Sequence, residues 1–359
     1  MSKQKKFKAP QPAKQSTFRS LAPALAISLL IPLALFFAAE GCISFALSHP
    51  RFIPKGYALN LLRYYYDHFE RDVIQFSDAC SRYDAGLFYT LKPGTCHFAN
   101  REFDVEYKIN SLGVRGDEAA LDKPEIAVIG DSQAMGWAVG QEETFSSLVG
   151  KLTGKKVLNT GVSSYGTARE MIMLDRVARG NLKYLIIQYS DNDYDENRYF
   201  AGNNYRMNIS SIEKYERVRR FHKDNTEYYP GKHIITLIKI IRSPDISISD
   251  PVASPYQADE VDAFLQVLQK SQPDLPNLKI IVFEANPYAM NDRTFLENLK
   301  KQIKNPSYPE FIRNMAVLDL GKELNTSKYL TLDDHMNADG HRLIADRIAA
   351  VIQKLESKQ

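Results

Sequence analysis

The chain has 359 residues, of which 44% are hydrophobic and 25% are charged, a composition typical of a folded globular protein rather than of a disordered or collagen-like chain. The net charge is +3, but the first 19 residues hold six basic and no acidic groups, so residues 40–359 carry a net charge of −3. A slightly acidic body argues against nucleic acid as a partner, because phosphate binding needs clustered positive charge.

The N-terminal region has the features of a membrane anchor. Residues 20–39 contain no charged side chain, and twenty apolar residues in a helix span about the 30 Å hydrocarbon core of a bilayer. The basic tail at residues 1–19 predicts that this end stays in the cytoplasm. We therefore expect an uncleaved, single-pass signal-anchor with the body in the periplasm. A cleaved signal peptide, or lipidation at Cys42, would also place the body outside the cytoplasm.

Residues 40–122 form an aromatic-rich, membrane-proximal segment. Within it, residues 63–69 predict a helix that lies at the membrane interface or packs on the body, and residues 102–109 alternate as in a strand. Cys80 and Cys96 can pair outside the cytoplasm, and such a bridge would stabilise the fold by about 3 kcal/mol. The alternative is two unpaired buried thiols.

The remaining region, residues 123–359, alternates short apolar runs with helical periodicities. This alternation predicts an α/β domain, a three-layer sandwich with a mainly parallel five-stranded sheet, preceded by one transmembrane helix. An insertion at residues 194–256 interrupts this alternation. It is expected to form a lid or an acceptor-binding surface, or else to pack against the membrane-proximal segment. The predicted strands are 125–130, 156–159, 184–188, 278–283 and 316–320, and the predicted helices are 143–152, 168–177, 258–270, 293–303 and 338–355.

Four polar clusters follow these elements in chain order. Residues 130–132 (Gly-Asp-Ser), 159–161 (Asn-Thr-Gly) and 190–192 (Ser-Asp-Asn) come directly after predicted strands, and residues 333–335 (Asp-Asp-His) precede the last helix. Each cluster alone is explained by a turn or a helix cap. Together they supply a hydroxyl, hydrogen-bond donors and a carboxylate–imidazole pair, the groups that acyl transfer needs.

In this order the clusters resemble the four sequence motifs, called blocks, of the SGNH (GDSL-type) hydrolases. The resemblance covers roughly residues 124–355. The resemblance implies that Ser132 is the nucleophile and His335 the general base. It also implies an oxyanion hole built from the Ser132 N–H, Gly161 and Asn192.

Two positions depart from the family's pattern. Ser190 stands where the third block usually begins with glycine, and Leu332 occupies the position, three before the histidine, that usually holds aspartate. The carboxylate is then Asp333, with Asp334 as the less favoured substitute. The spacing of Asp333 and His335 is similar to that in proteins that O-acetylate secreted polysaccharides.

The resemblance and the anchor together predict a serine-dependent esterase that acts through an acyl-enzyme on an extracytoplasmic, glycan-linked ester. The alternatives are an O-acyltransferase that modifies a cell-envelope polysaccharide and a non-catalytic glycan-binding envelope protein. The expected partners are an acylated small molecule or a cell-envelope glycan, and the membrane. This chemistry requires no metal and no other cofactor, and the sequence leaves the oligomeric state open.

Overall fold

A computed structural model describes residues 18–357 except positions 244, 247, 272–274, 291 and 292. The predicted cytoplasmic tail, residues 1–19, lies outside the described residues apart from its last two. The helices are α1 Phe18–Ser48, α2 Tyr57–Phe69, α3 Ser132–Met135, α4 Phe145–Thr153, α5 Thr167–Leu174, α6 Asp193–Gly202, α7 Ile212–Thr226, α8 Lys232–Arg242, α9 Glu260–Ser271, α10 Thr294–Gln302, α11 Glu310–Arg313 and α12 Ala338–Glu356.

The first of these helices is long and apolar. Its stretch Ala26–Ser48 has 23 residues and a mean hydropathy of 2.1, and 6% of it is buried inside the structure, so it is long and apolar enough to cross a membrane. The predicted N-terminal apolar helix is therefore confirmed, and it continues beyond residue 39 to Ser48.

The membrane-proximal segment packs on the body. It contains α2 and two antiparallel hairpins, in which Tyr65 and Tyr66 of α2 are fully buried. Residues 63–69 were expected to lie at the membrane interface or to pack on the body, and in the structure they pack on the body. The hairpin strands are β1 Ser81–Asp84, β2 Phe88–Leu91, β3 Gly94–Asn100 and β4 Phe103–Ile109.

A disulfide joins the two hairpins. Cys80, directly before β1, is bonded to Cys96 in β3, with their Cα atoms 5.3 Å apart. The predicted pairing is confirmed, and Cys42 is an exposed free thiol.

Replacing both Cys80 and Cys96 by serine is expected to lower the free energy of unfolding by about 3 kcal/mol, because the bridge reduces the number of conformations open to the unfolded chain. The measurement is the urea midpoint of the full chain in detergent. Cys42→Ser, which removes an unpaired thiol, should leave the midpoint unchanged. An equal midpoint for all three proteins would contradict the expectation.

The central sheet has five parallel strands in the order β6-β5-β7-β8-β9. The three inner strands are mainly apolar and buried on both faces, as parallel strands covered by helices must be, whereas the edge strand at residues 316–318 is half-buried. In β7, Leu185 and Ile187 face one apolar cluster, and Tyr184 and Ile186 face the other. The strands are β5 Ile126–Ile129, β6 Val157–Asn159, β7 Tyr184–Tyr189, β8 Lys279–Glu284 and β9 Ala316–Leu318.

Helices cover both faces of this sheet. The side chains of α4 and α12 fill one apolar cluster, and those of α5, α9 and α10 fill the other. On α12 the buried face carries Ile344, Ile348 and Ile352, one turn apart. The predicted three-layer α/β sandwich with a parallel five-stranded sheet is confirmed.

The insertion at residues 194–256 holds most of α6 and all of α7 and α8. These helices contact the membrane-proximal part of the chain. The Tyr215 hydroxyl of α7 donates to the Gln75 carbonyl at 3.2 Å, and the Asn60 side chain of α2 donates to Asp250 at 2.8 Å. The insertion thus ties the sandwich to α1 and α2.

Candidate active site

The turn after β5 positions Ser132. Gly130 has φ +152°, and a Cβ at this position would lie 2.5 Å from the Ala134 Cβ, so only glycine fits. The Asp131 carboxylate accepts the Gln133 N–H at 2.8 Å and caps α3. Ser132 is therefore the first residue of α3, at the carboxyl end of a central strand.

A buried glutamine on the neighbouring strand fixes the same turn. Gln188 of β7 accepts the backbone N–H of Asp131 at 3.0 Å and of Ala134 at 3.3 Å through one side-chain oxygen. A single amide thus holds both ends of the segment that carries Ser132.

The three residues assigned to nucleophile, base and carboxylate lie within hydrogen-bond reach. His335 Nε2 is 2.7 Å from Ser132 Oγ, and His335 Nδ1 is 2.5 Å from Asp333 Oδ1. Ser132 and His335 are 203 residues apart in the chain. They are 8% and 6% exposed respectively, so both residues are largely buried.

The environment of Asp333 fixes the orientation of the pair. Its Oδ2 accepts the Tyr66 hydroxyl at 2.6 Å and the Trp137 indole N–H at 3.2 Å. The Trp137 ring also stacks on the His335 imidazole, with centroids 4.6 Å apart and an interplanar angle of 13°. With Nδ1–H donating to Asp333, the neutral imidazole presents its Nε2 lone pair to the serine.

Glu102 holds the backbone of the loop that carries Asp333. Its carboxylate accepts three successive N–H groups, from Thr331 at 2.9 Å, Leu332 at 2.7 Å and Asp333 at 2.8 Å. Burial raises the pKa of Glu102, while these three bonds favour its charged form. The membrane-proximal hairpin thus contributes directly to the shape of the loop that carries Asp333 and His335.

A second carboxylate contacts the same imidazole nitrogen. Asp334 Oδ1 is 2.7 Å from His335 Nδ1 and 2.8 Å from Arg71 Nη1, and Arg71 also lies 3.3 Å from Asp67. Burial alone would raise the pKa of Asp334, but Arg71 and His335 hold it well below its usual value. Asp333 and Asp334 therefore both face the base, and Asp334 is also paired with a cation.

The ligand atoms of Asp333, Asp334 and His335 lie within 4.8 Å of one another, a separation that a metal ion would accept. The Arg71 guanidinium already occupies the space beside Asp334 and would repel a second cation. This donor set fits proton transfer better than metal binding.

We expect kcat/KM for an ester to rise with pH up to about 9. Burial opposes the charged imidazole, but the carboxylates of Asp334 and Asp333 outweigh it and raise the pKa of His335 to about 9. Only neutral His335 can accept the serine proton, so below that pH the active fraction falls about tenfold per unit. A pH–rate profile between about pH 6 and about pH 10 tests this, and a plateau reached already at neutral pH would contradict it.

The predicted oxyanion donors differ in their surroundings. The Ser132 N–H makes no hydrogen bond to the residues that the structure describes. Gly161 packs against α3, where a Cβ would be 2.7 Å from the Met135 nitrogen, and its N–H donates to Asn159 Oδ1 at 2.9 Å. Asn192 is exposed at the N-cap of α6, and its side chain makes no cap hydrogen bond. The Ser132 N–H is therefore free to donate to an oxyanion, whereas the Gly161 N–H would first have to give up its hydrogen bond to Asn159. The oxyanion roles of Ser132, Gly161 and Asn192 stay predictions.

Ser190, the residue that departs from the third block, has a structural partner. Its hydroxyl donates to Asn286 Oδ1 at 3.2 Å, and the Asp191 N–H donates to the same oxygen at 2.9 Å. The loop after β7 is thereby tied to the loop after β8.

Several side chains that build this site were not singled out from the sequence. They come from α2 and the segment just after it, from the turn between β3 and β4, from the segment after α3 and from inside a strand, so they lie in none of the four clusters. The one local signal is Gln188, a polar residue at the end of an otherwise apolar strand. The residues are Tyr66, Arg71, Glu102, Trp137 and Gln188.

Comparisons with protein-family models and with curated proteins found no match. Among solved structures, the chain is similar to a lipolytic protein of the G-D-S-L family from Desulfitobacterium hafniense DCB-2, with 15% identity, a TM-score of 0.34 and coverage of 63% of this chain and 98% of that one. It is also similar to a salicylyl-acyltransferase from a tetracycline biosynthetic pathway, with 16% identity and a TM-score of 0.30 over 64% of this chain and 55% of that chain. Because both likenesses are distant, the function proposed below rests on this chain's own geometry.

Proposed function

We propose that this chain is a serine-dependent esterase of the SGNH type that forms a covalent acyl-enzyme on Ser132. The observation that carries the proposal is the continuous hydrogen-bonded chain from Ser132 through His335 to Asp333, at 2.7 Å and 2.5 Å. This arrangement meets the geometric requirement for a serine nucleophile, its base and the group that orients the base.

Acylation follows from the positions of these groups. Ser132 Oγ attacks the ester carbonyl while His335 Nε2 takes its proton, and Asp333 stabilises the imidazolium that forms. The carbonyl oxygen becomes an oxyanion beside the Ser132 N–H, and one such donor is worth about 3 kcal/mol of the barrier. His335 then returns the proton to the leaving alkoxide, the C–O bond of the ester breaks, and an alcohol departs.

Deacylation repeats the same steps with a different nucleophile. His335 takes a proton from water or from a sugar hydroxyl, which attacks the acyl-serine. Collapse of the second tetrahedral intermediate returns the proton to Ser132 and releases an acid or a new ester.

The substrate that we propose is an acyl ester on an extracytoplasmic, cell-envelope glycan. An apolar N-terminal helix supports a membrane-anchored chain with a cytoplasmic N-terminus and a periplasmic body. The disulfide between Cys80 and Cys96 supports an oxidising compartment for that body.

One observation favours O-acyl transfer to a glycan as the second candidate. A groove of about 300 Å³ lies beside the loop that carries Asp333 and His335. Tyr288 lines this groove, and its hydroxyl donates to the Leu332 carbonyl of the loop at 2.9 Å. The groove combines rings with hydrogen-bonding groups and is lined by Asn60, Arg63, Tyr64, Asp67, Asp250 and Tyr288.

A fluorophosphonate probe tests the esterase proposal directly. The probe phosphonylates an activated serine, so the full-length protein should be labelled, and peptide mapping should locate the adduct on Ser132. Absence of labelling would favour the third alternative, a non-catalytic glycan-binding protein.

Product analysis separates the two catalytic alternatives. The enzyme is incubated with an acetyl ester and an oligosaccharide acceptor, and the products are identified by mass spectrometry. Acetate alone supports hydrolysis, and an acetylated oligosaccharide supports transfer.

A further inference from the structure

Helix α8 of the insertion carries an exposed apolar face. Ile235, Ile238 and Ile241 follow one another at intervals of three residues and are 41%, 44% and 63% exposed. Lys239 and Arg242 are exposed near the end of the helix, and Arg242 is its last residue. The opposite side of the helix is buried against the rest of the chain, so α8 is an amphipathic helix whose apolar face has no partner in the described structure.

The start of α8 is docked on the apolar helix α1. The Glu40 carboxylate, 4% exposed, accepts the N–H groups of Gly231, His233 and Ile234, each at 3.1 Å. The helix N-terminus favours this negative charge. Glu40 is thereby shielded, although it lies within the 23-residue apolar stretch of α1.

The two helices stay in contact along the length of α8. At its start, Phe36 of α1 and Ile235 approach Gly231 so closely that a Cβ there would be 2.7 Å from the Phe36 ring. Near its end, Ile240 shares an apolar cluster with Leu47 of α1. Helix α8 therefore runs beside the part of α1 between Phe36 and Leu47, which belongs to the candidate membrane span.

We infer that α8 is a second membrane-contacting element, which lies at the lipid interface beside α1 and turns its isoleucine face toward the acyl chains. A hydrocarbon core of about 30 Å takes up about 20 helical residues, and residues 20–39 of α1 carry no charge, so the outer edge of that core falls near residue 39. The segment of α1 beside α8, residues 36–47, straddles that edge. Lys239 and Arg242 are long enough to reach the headgroups.

Lipid is the occupant that suits this face, because the face is continuous with α1. The Ile235 side chain and the Phe36 ring both lie close to Gly231, and Leu33 and Phe37 on α1 are 51% and 53% exposed. The same apolar medium that must surround α1 therefore reaches α8. Two exposed tyrosines just before α8, Tyr228 and Tyr229, have the amphipathic rings typical of membrane interfaces.

This contact would fix the orientation of the catalytic domain. His233 Nδ1 of α8 lies 2.8 Å from the Tyr65 hydroxyl of α2, and the adjacent Tyr66 hydrogen-bonds Asp333. Two membrane-contacting helices rather than one would hold the site at a defined height and tilt above the lipid surface.

Quenching of tryptophan fluorescence by brominated lipid tests the inference. The full-length Ile238→Trp and Ile241→Trp variants are reconstituted in phosphatidylcholine vesicles with and without bromine on the acyl chains. The wild-type chain, whose Trp137 is 2% exposed, gives the baseline. The matched control is Val252→Trp, at a position of the same insertion that is 78% exposed and outside α8.

We expect brominated lipid to reduce the added emission of both α8 variants about twofold and to leave that of Val252→Trp unchanged. Two variants on one face guard against local misfolding at either position. Quenching no greater than in the control would overturn the inference. Blue-shifted emission without quenching would also overturn it, since a protein or a second copy of the chain would then cover the face.

Discussion

Replacing Ser132 by alanine is expected to lower kcat/KM for a small acetyl ester by about a thousandfold or more. The hydroxyl lies 2.7 Å from His335 Nε2, and no other side-chain hydroxyl of the described residues is hydrogen-bonded to that nitrogen. Without the hydroxyl, no acyl-enzyme can form. Steady-state kinetics on the full-length protein measure the loss.

Ser81→Ala is the matched control for this experiment. Ser81 is 6% exposed, close to the 8% of Ser132, but its hydroxyl donates to the Ile74 carbonyl in the membrane-proximal segment. We expect this variant to lose some stability and to keep its turnover within about threefold of the wild type. Undiminished turnover in Ser132→Ala would remove Ser132 from the role of nucleophile.

The sandwich itself was predictable because the physical signal is local. Strands β5, β7 and β8 each contain a run of aliphatic residues that is buried on both faces of the sheet, as parallel strands between helix layers require. The last helix carries isoleucines one turn apart. Such patterns identify each element from the residues within it.

In the membrane-proximal segment, β4 had such a signal in the alternation of residues 102–109, but the position of α2 had none. The seven residues RYYYDHF suit a lipid interface and a protein interior equally well, since tyrosine has an apolar ring and a polar tip. The outcome is decided by long-range partners. The Tyr66 hydroxyl meets a carboxylate 267 residues away, and Glu102 accepts a backbone N–H 229 residues away.

For the candidate site, the sequence supplied the acting groups and the structure supplied what holds them. Ser132 and His335 come from motifs whose order along the chain is visible. The supports, including Trp137 stacked on the imidazole, depend on the packing of the hairpins against the sheet. A positioning residue needs only the right location, so it leaves no motif.

The second carboxylate shows the same limit. From the sequence, Asp334 was a substitute for Asp333. In the structure both contact His335 Nδ1, at 2.5 Å and 2.7 Å, but their other partners differ. Asp333 accepts neutral donors from Tyr66 and Trp137, whereas Asp334 pairs with the Arg71 cation. This difference predicts different roles for two adjacent, chemically identical side chains.

Asp333→Asn is expected to lower kcat by about a thousandfold or more, as loss of the orienting carboxylate does in other serine triads. An amide can donate to Nδ1, which would favour the tautomer with its proton on Nε2, and that tautomer cannot accept the serine proton. The measurement is kcat at a pH above about 9, where the wild-type base is neutral.

Asp334→Asn is the contrasting variant, and its effect should appear in the pH profile rather than in the maximal rate. The change removes an anion that raises the pKa of His335 to about 9, and it leaves the Arg71 cation nearby with Asp67 as its remaining carboxylate partner. Both effects destabilise the imidazolium, so the rising limb of kcat/KM should move toward the ordinary histidine pKa of about 6.5. Activity at neutral pH should then increase relative to the wild type, while Asp333→Asn stays inactive at every pH. The opposite result would be a loss of kcat in Asp334→Asn as large as in Asp333→Asn, with no shift in the rising limb of its pH profile. Asp334 would then be an orienting carboxylate, because only a residue that holds the tautomer of His335 would have that effect.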